Sequence, residues 1–82
     1  MELTSEQSRA ARALLGWSQQ QLAEAAQVAK QTLADFERGA RTPYDRTLRD
    51  IRLALENAGV EFLGVAEGKG VGVRFANASP SA

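Results

Sequence analysis

The sequence predicts a mainly α-helical domain of four short helices, followed by a short C-terminal β-hairpin. Up to about residue 58, apolar residues recur at three- and four-residue spacing in four separate segments. Capping residues or glycines bound each segment. After Gly59 the apolar residues alternate instead, which is typical of strands. A chain of 82 residues without cysteine is expected to form one domain with a modest core.

The first predicted helix begins after Thr4 and ends near Leu15. Thr4 and Gln7 have the spacing of a capping box, in which each side chain caps the backbone of the other residue. Gly16 follows as a residue that accepts a left-handed conformation at the helix end. The predicted apolar face of this helix consists of Ala11, Leu14 and Leu15.

The second predicted helix extends from Gln19 to about Ala26. Ser18 and Gln21 form a second potential capping box. Trp17 precedes the cap and is expected to pack on the helix as a hydrophobic staple, which is a structural role. The residues predicted to face inward are Leu22, Ala23 and Ala26.

The third predicted helix runs from about Lys30 to Arg38 and stops at Gly39. Leu33 and Phe36 are expected to face inward, with Glu37 as a possible third inward residue.

The fourth predicted helix follows Thr42 and Pro43, a cap followed by the residue best tolerated in the first turn. It continues to about Ala58. Its predicted inner stripe consists of Leu48, Ile51 and Leu55.

Two predicted strands, 60–63 and 71–75, flank a turn at 67–70. We therefore divide the chain into a helical domain (1–59), a hairpin (60–76) and a small polar tail (77–82). An isolated hairpin is marginally stable in water, so this one is expected to pack on another surface.

The composition argues against an enzyme. The chain has neither histidine nor cysteine, which removes the commonest general base and the usual thiolate ligands. The segment GKGVG lacks the spacing and the ending of a phosphate-binding loop. We expect no cofactor, no metal and no membrane span. The net charge of the chain is zero. Between Lys30 and Arg52, however, the sequence contains six basic and four acidic residues, so a locally basic surface is predicted.

The segment WSQQQLAEAAQVAKQTLADFERGARTP resembles the Cro/C1-type helix-turn-helix of the XRE family. The resemblance rests on Ser18-Gln19, Leu22-Ala23, Val28 and Glu37-Arg38-Gly39, and it extends over about 14–62. It implies a lambda-repressor-like fold whose third helix enters the major groove of double-stranded DNA.

The third helix carries the residue types that read base edges. Glutamine matches the edge of adenine, lysine the edge of guanine, and aspartate accepts from the cytosine amino group, while alanine can meet the thymine methyl group. Asp35 has a structural alternative, a pair with Arg38 or a solvated surface position. The candidate base contacts are Lys30, Gln31, Ala34 and Asp35.

By the same resemblance, Gln19 at the start of helix two donates to a phosphate. Arginines and hydroxyl side chains of the third helix, the following loop and the fourth helix are further candidates, each with the alternative of a solvated surface side chain. The candidate phosphate contacts are Gln19, Thr32, Arg38, Arg41, Thr42, Tyr44 and Arg46. The resemblance also implies a partly buried ion pair between Arg12 and Glu37.

A single recognition helix reads few base pairs, so a homodimer on a palindromic operator is expected. The candidate dimer or partner surface consists of Val60, Phe62, Val71, Val73 and Phe75. The alternative is that the hairpin folds back on its own helices. The predicted function is a sequence-specific transcriptional regulator in the bacterial cytoplasm, most simply a small autorepressor. The alternative is an antiactivator or antitoxin that binds a second regulatory protein and uses DNA binding for autoregulation.

Overall fold

The computed structural model describes residues 2–77, which form four helices and one two-stranded antiparallel sheet. The predicted fold class is confirmed. Of the predicted tail, only Asn77 belongs to the described residues. The elements are α1 (Ser5–Leu15), α2 (Gln19–Ala26), α3 (Lys30–Glu37), α4 (Asp45–Asn57), β1 (Val60–Leu63) and β2 (Gly72–Phe75).

Both predicted capping boxes are present. The Thr4 hydroxyl accepts from the Gln7 amide at 3.1 Å, and the Gln7 side-chain oxygen accepts from the Thr4 amide at 3.1 Å. Ser18 and Gln21 make the same two bonds at 3.1 and 2.8 Å. These bonds satisfy amides that have no partner within the helix, so the starts of α1 and α2 are determined locally.

A single hydrophobic core joins the helices to the hairpin. The side chains of Leu22, Leu33, Ile51 and Leu55 are fully buried at its centre. Strand β1 contributes to the same core, so the hairpin folds back on its own helices, mainly α1 and α4. The remaining buried apolar residues are Leu3, Ala11, Ala23, Ala26, Phe36, Leu48, Ala54, Val60 and Phe62.

The inner face of α1 differs from the prediction. Leu14 is 37% exposed, whereas Gln7 and Ser8 are buried together with Ala11. The apolar spacing misplaces this face because both polar side chains find hydrogen-bond partners in neighbouring elements. Buried polar groups that are hydrogen-bonded carry little penalty.

Gln7 connects α1 to both strands. Its Nε2 donates to the carbonyl oxygens of Leu63, at 3.3 Å, and Gly72, at 2.9 Å. The residue that completes the capping box of α1 therefore also attaches the hairpin to that helix.

The prediction that Thr42 caps the fourth helix is wrong. Helix α4 begins at Asp45, with Tyr44 as the N-cap and no side-chain cap bond. A proline disfavours the helical conformation of the residue before it, so Pro43 disfavours a helix start at Thr42. Tyr44 itself is extended, with ψ 154°, so the helix begins only after it. Thr42 and Tyr44 are both exposed on the approach to α4.

The hairpin pairs Val60 with Phe75 and Phe62 with Val73. Its tight turn has Glu67 and Gly68 in the left-handed region, at φ 54° and 75°, which is the backbone pattern of a type I′ turn. Strand β2 begins one residue later than predicted, so Val71 precedes it and is 41% exposed.

Candidate nucleic-acid interface

The turn between α2 and α3 sets the orientation of the two helices. Gln27 ends α2 in a left-handed conformation, at φ 59°. The Val28 amide then donates to the Ala23 carbonyl at 3.0 Å, and the Val28 side chain packs against the core. Ala29 precedes α3 in an extended conformation. Two short helices joined by the three residues 27–29 are the arrangement that the helix-turn-helix pattern predicts.

Helix α3 has a buried face and an outward face. Leu33 is fully buried and Phe36 nearly so, which anchors the helix to the core. Lys30 and Gln31 are exposed, and Ala34 and Asp35 are half-buried. We call these last four residues the reading face; their DNA contacts remain predictions.

Asp35 accepts hydrogen bonds from one residue before it and one residue after it along the chain. Its Oδ1 accepts from Gln31 Nε2 at 2.9 Å, one turn earlier. The same oxygen accepts from Arg38, at 3.0 Å from Nη2 and 3.2 Å from Nε. The predicted alternative of a pair with Arg38 is therefore present in the free protein.

The pKa of Asp35 is held below its ordinary value. The hydrogen bond from Gln31 is the largest cause, followed by the hydrogen bond from Arg38 and the positive charges of Arg38 and Arg41. Each of these favours the charged carboxylate. Asp35 is therefore ionised at neutral pH, with its charge offset by neighbouring arginines.

Glu37 is the last residue of α3, and its buried carboxylate receives hydrogen bonds from three side chains of two other helices, α1 and α2. Arg12 Nη2 lies 2.8 Å from Glu37 Oε1, so the predicted ion pair is present, with the Glu37 side chain 1% and the Arg12 side chain 20% exposed. Ser8 donates its hydroxyl to Oε2, and Gln19 Nε2 donates to Oε1 at 3.1 Å. Ser8 was not predicted for this site, although its position one turn before Arg12 on α1 was a usable signal.

Burial alone would raise the pKa of Glu37. Hydrogen bonds from Arg12, Ser8 and Gln19, together with the Arg12 charge, outweigh burial, so the pKa lies below its ordinary value. The carboxylate therefore remains charged inside the fold, and Arg12 compensates that charge.

Gln19 occupies a position different from the one expected of a free phosphate ligand. It is half-buried, and one of its amide hydrogens is used by Glu37. A side-chain amide has two N–H donors, so one donor is left for a phosphate. Any phosphate contact by Gln19 therefore uses a side chain that Glu37 already holds in position.

Four of the predicted phosphate contacts converge on one surface depression between α3 and α4. Arg41, Thr42 and Tyr44 are exposed there, and Tyr44 is 88% exposed. Thr47 also lines it and was not predicted; its position three residues after Tyr44 places it in the first turn of α4. We call this depression the loop hollow, and its lining residues are Thr32, Arg41, Thr42, Pro43, Tyr44 and Thr47.

Besides Gln19, two predicted phosphate contacts lie outside the loop hollow. Arg38 is 67% exposed at its side chain and pairs with Asp35 on α3. Arg46 is exposed on α4 and lines a separate groove with Gln27 and Asp50. The predicted cluster is therefore split, and Arg46 does not share a depression with Arg41.

Two residues of the predicted dimer surface are unavailable in the folded chain. Val60 is 2% and Phe62 is 9% exposed, because both pack into the core formed with α1 and α4. Val73 and Phe75 are half-buried against the same core, and only Val71 is largely exposed. The alternative, a hairpin folded on its own helices, is the observed arrangement.

Within residues 2–77 there is no group of three or more acidic, histidine or cysteine side chains arranged to hold a metal ion. Across that same part of the chain, no helix has the length and hydropathy needed to cross a membrane.

Comparison with known proteins identifies one family. A helix-turn-helix family model matches residues 9–58, more than half of the 82-residue chain. The match begins within α1 and ends just after α4, so it includes the reading face and the loop hollow. A comparison with curated proteins found no match.

Proposed function

This chain belongs to the Cro/C1-type helix-turn-helix family of DNA-binding regulators, and we propose that it is a sequence-specific regulator that places α3 in the major groove of operator DNA. The family is not typically enzymatic. The observation that carries the proposal is that α3 has one buried apolar side and one outward polar side. Leu33 and Phe36 hold the helix from beneath, and the reading face turns outward.

In this proposal, three residues of the reading face meet base edges. Gln31 donates and accepts on adenine, Lys30 donates to guanine, and Ala34 leaves room for a thymine methyl group. Asp35 completes the face. Both Gln31 and Lys30 are exposed, so neither must leave the core to reach a base.

The loop hollow is proposed to receive the DNA backbone. Arg41 supplies a positive charge, and Thr42 and Tyr44 supply hydroxyl donors beside it. Gln19 reaches a second phosphate at the start of α2, with its side chain held by Glu37. Phosphate contacts of this kind orient the protein on the duplex without carrying sequence information.

We propose repression by occupancy as the regulatory output, at promoters that include the protein's own. A domain bound over a promoter excludes the polymerase by steric overlap alone. In this proposal the regulator acts in the bacterial cytoplasm, at the nucleoid. A homodimer would read two half-sites about 10 base pairs apart, centre to centre. Of the residues predicted for the dimer surface, the exposed Val71 and the half-buried Val73 and Phe75 remain accessible for such a dimer.

A second candidate function is binding of another regulatory protein, as in an antiactivator or antitoxin. The hairpin loop favours it, because Val65 is 76% and Val71 41% exposed there, away from the reading face on α3. Capture of one stoichiometric partner that is lost on changing Val65 and Val71 to serine, with DNA binding retained, would support this role.

Selection of bound duplexes from a random pool tests the main proposal. We expect a palindromic consensus from the wild-type protein. A variant with Lys30→Ala and Gln31→Ala is expected to keep its fold, since both side chains are exposed, and to enrich no consensus. No enrichment by the wild type, or the same consensus from the variant, would reject the proposed reading face.

A further inference from the structure

A carboxylate on a surface that is proposed to bind DNA would repel the phosphates. The contacts of Asp35 explain why an acidic residue is present there. Gln31, Asp35 and Arg38 follow one another along α3 at four- and three-residue spacing, so they lie on one side of the helix. Asp35 Oδ1 accepts from both neighbours, at 2.9 Å from Gln31 and 3.0 Å from Arg38. The three side chains thus form one connected chain of hydrogen bonds.

The contact with Asp35 determines which end of the Gln31 amide faces outward. An ionised carboxylate only accepts hydrogen bonds, so the NH2 group of Gln31, and not its oxygen, must point towards Asp35. Gln31 then retains one N–H donor and its Oε1 acceptor. One donor and one acceptor are what the major-groove edge of adenine requires.

The exposure of the three side chains places Asp35 behind its neighbours. Its side chain is only 17% exposed, compared with 67% for Arg38, and Gln31 is also exposed. A base edge approaching α3 therefore meets Gln31 before it meets the carboxylate. Arg38 uses its Nε and Nη2 on Asp35 and retains further N–H donors for a phosphate.

We propose that Asp35 is a positioning residue for DNA reading: it fixes the orientation of the Gln31 amide towards an adenine edge, while Arg38 offsets its negative charge. This inference rests on the proposed function, since it assigns how the reading face of a DNA-binding helix is oriented. It differs from a direct contact between Asp35 and cytosine, in which the carboxylate itself touches the base.

The electrostatics of the site agree with this arrangement. Hydrogen bonds from Gln31 and Arg38 lower the pKa of Asp35, so the acceptor stays charged at the pH of DNA binding. The charged groups that act on Asp35 are both cationic, Arg38 at the end of α3 and Arg41 in the loop beyond it. Arg38 and Arg41 thereby reduce the repulsion that an isolated carboxylate would exert on a phosphate backbone.

A double-mutant cycle tests the inference on the operator selected by the wild-type protein. Binding is measured for the wild type, Asp35→Ala, Gln31→Ala and the double variant, on that operator and on operators changed at each base pair in turn. If Asp35 acts through Gln31, Asp35→Ala weakens binding roughly 2- to 10-fold, the range expected for a side chain that must be ordered on binding. It also reduces discrimination at the base pair read by Gln31, and this loss of discrimination is absent in the Gln31→Ala background, where removal of the carboxylate charge acts equally on all operators.

The opposite outcome is equally clear. If Asp35 reads a base itself, Asp35→Ala reduces operator affinity by the same factor in the wild type and in the Gln31→Ala variant. It also relaxes the preference at a different base pair. This result would overturn the inference. Asp35→Asn keeps an acceptor oxygen and is expected to restore discrimination at the base pair of Gln31. Asp35→Asn discriminating as poorly as Asp35→Ala would also contradict the inference. A wild-type protein that selects no sequence would reject the proposed function instead, so the two failures are distinguishable.

Discussion

Arg12 of α1 and Glu37 of α3 form an ion pair in which the guanidinium meets both carboxylate oxygens. Nη2 lies 2.8 Å from Oε1, and Nε lies 3.1 and 3.0 Å from Oε1 and Oε2. Ser8 and Gln19 donate to the same carboxylate. One buried anion thus ties α1 and the start of α2 to the underside of the reading helix. Stability and the placement of a predicted phosphate ligand, Gln19, depend on the same group.

Glu37→Gln is expected to lower the free energy of unfolding by about 3 kcal/mol, because it leaves the Arg12 charge without a compensating anion. We expect the lower end of the range for broken buried pairs, since the Arg12 side chain retains 20% exposure. Urea unfolding measures the change. The matched control is Glu61→Gln, which breaks an exposed cross-strand pair with Arg74 and should cost less than about 1 kcal/mol. Equal losses for the two variants would contradict a special role for Glu37.

Stability is expected to fall on acidification in part because of Glu37. Its folded-state pKa lies below its ordinary value, so the unfolded state takes up protons first as the pH decreases. The contribution is complete above the unfolded pKa of about 4.3 and is lost as the pH falls through the folded pKa. The lowered pKa values of Glu6 and Asp35 act in the same direction.

The difference in stability between the wild type and Glu37→Gln isolates the contribution of Glu37. It should stay constant above about pH 5 and shrink as the pH decreases further. If the difference in stability grew on acidification, the pKa of Glu37 would have to be raised, not lowered, in the folded state.

Local interactions explain why most helix boundaries were predictable. The capping boxes at Thr4 and Ser18 involve residues three positions apart, so their hydrogen bonds can be predicted from the local sequence. The buried stripe of α4, Leu48, Ile51 and Leu55, likewise follows from helical spacing.

Tertiary contacts explain the errors. Gln7 can be buried because the hairpin offers carbonyl oxygens to it, an arrangement that α1 alone does not reveal. Val60 and Phe62 were assigned to a dimer surface because nothing in their own segment indicates that α1 and α4 cover them.

The candidate site was predictable in position but not in connectivity. Helical spacing places Gln31 and Asp35 one turn apart on the same side of α3, and the 2.9 Å hydrogen bond between their side chains agrees with that expectation. The sequence left open whether Asp35 pairs with Arg38, contacts solvent or reads a base. Side-chain geometry was needed to establish that Asp35 joins Gln31 and Arg38 through one oxygen.

Gln31→Ala is expected to weaken binding to the selected operator by about 1 to 3 kcal/mol, the usual value of a bidentate contact between a side chain and a base pair. Binding to random DNA should be unchanged, because phosphate contacts carry that affinity. Titration of both duplexes at one salt concentration makes the comparison. Equal losses on operator and random DNA would remove Gln31 from the base contacts.

Arg41→Ala is expected to weaken binding to operator DNA and to random DNA equally. It should also reduce the slope of log affinity against log salt concentration by about 1 unit. Arg41 is exposed in the loop hollow, where a phosphate would release one counterion. The matched control is Arg49→Ala, an exposed arginine that lines a different depression beside Glu2 and Leu3. A slope that is unchanged by Arg41→Ala, or reduced as much by Arg49→Ala, would contradict the assignment of the loop hollow.

Gln7→Ala is expected to destabilise the fold by about 1 to 3 kcal/mol, because it leaves the carbonyl oxygens of Leu63 and Gly72 without this donor. Gln21→Ala is the matched control. It removes the equivalent capping residue from α2, but Gln21 is exposed and should cost only about 0.5 to 1 kcal/mol. Amide exchange separates the two effects: Gln7→Ala should accelerate exchange in β1 and β2 more than in α3, whereas Gln21→Ala should leave the strands protected. Uniform acceleration in both variants would mean that Gln7 acts on the helix start alone and does not fasten the hairpin.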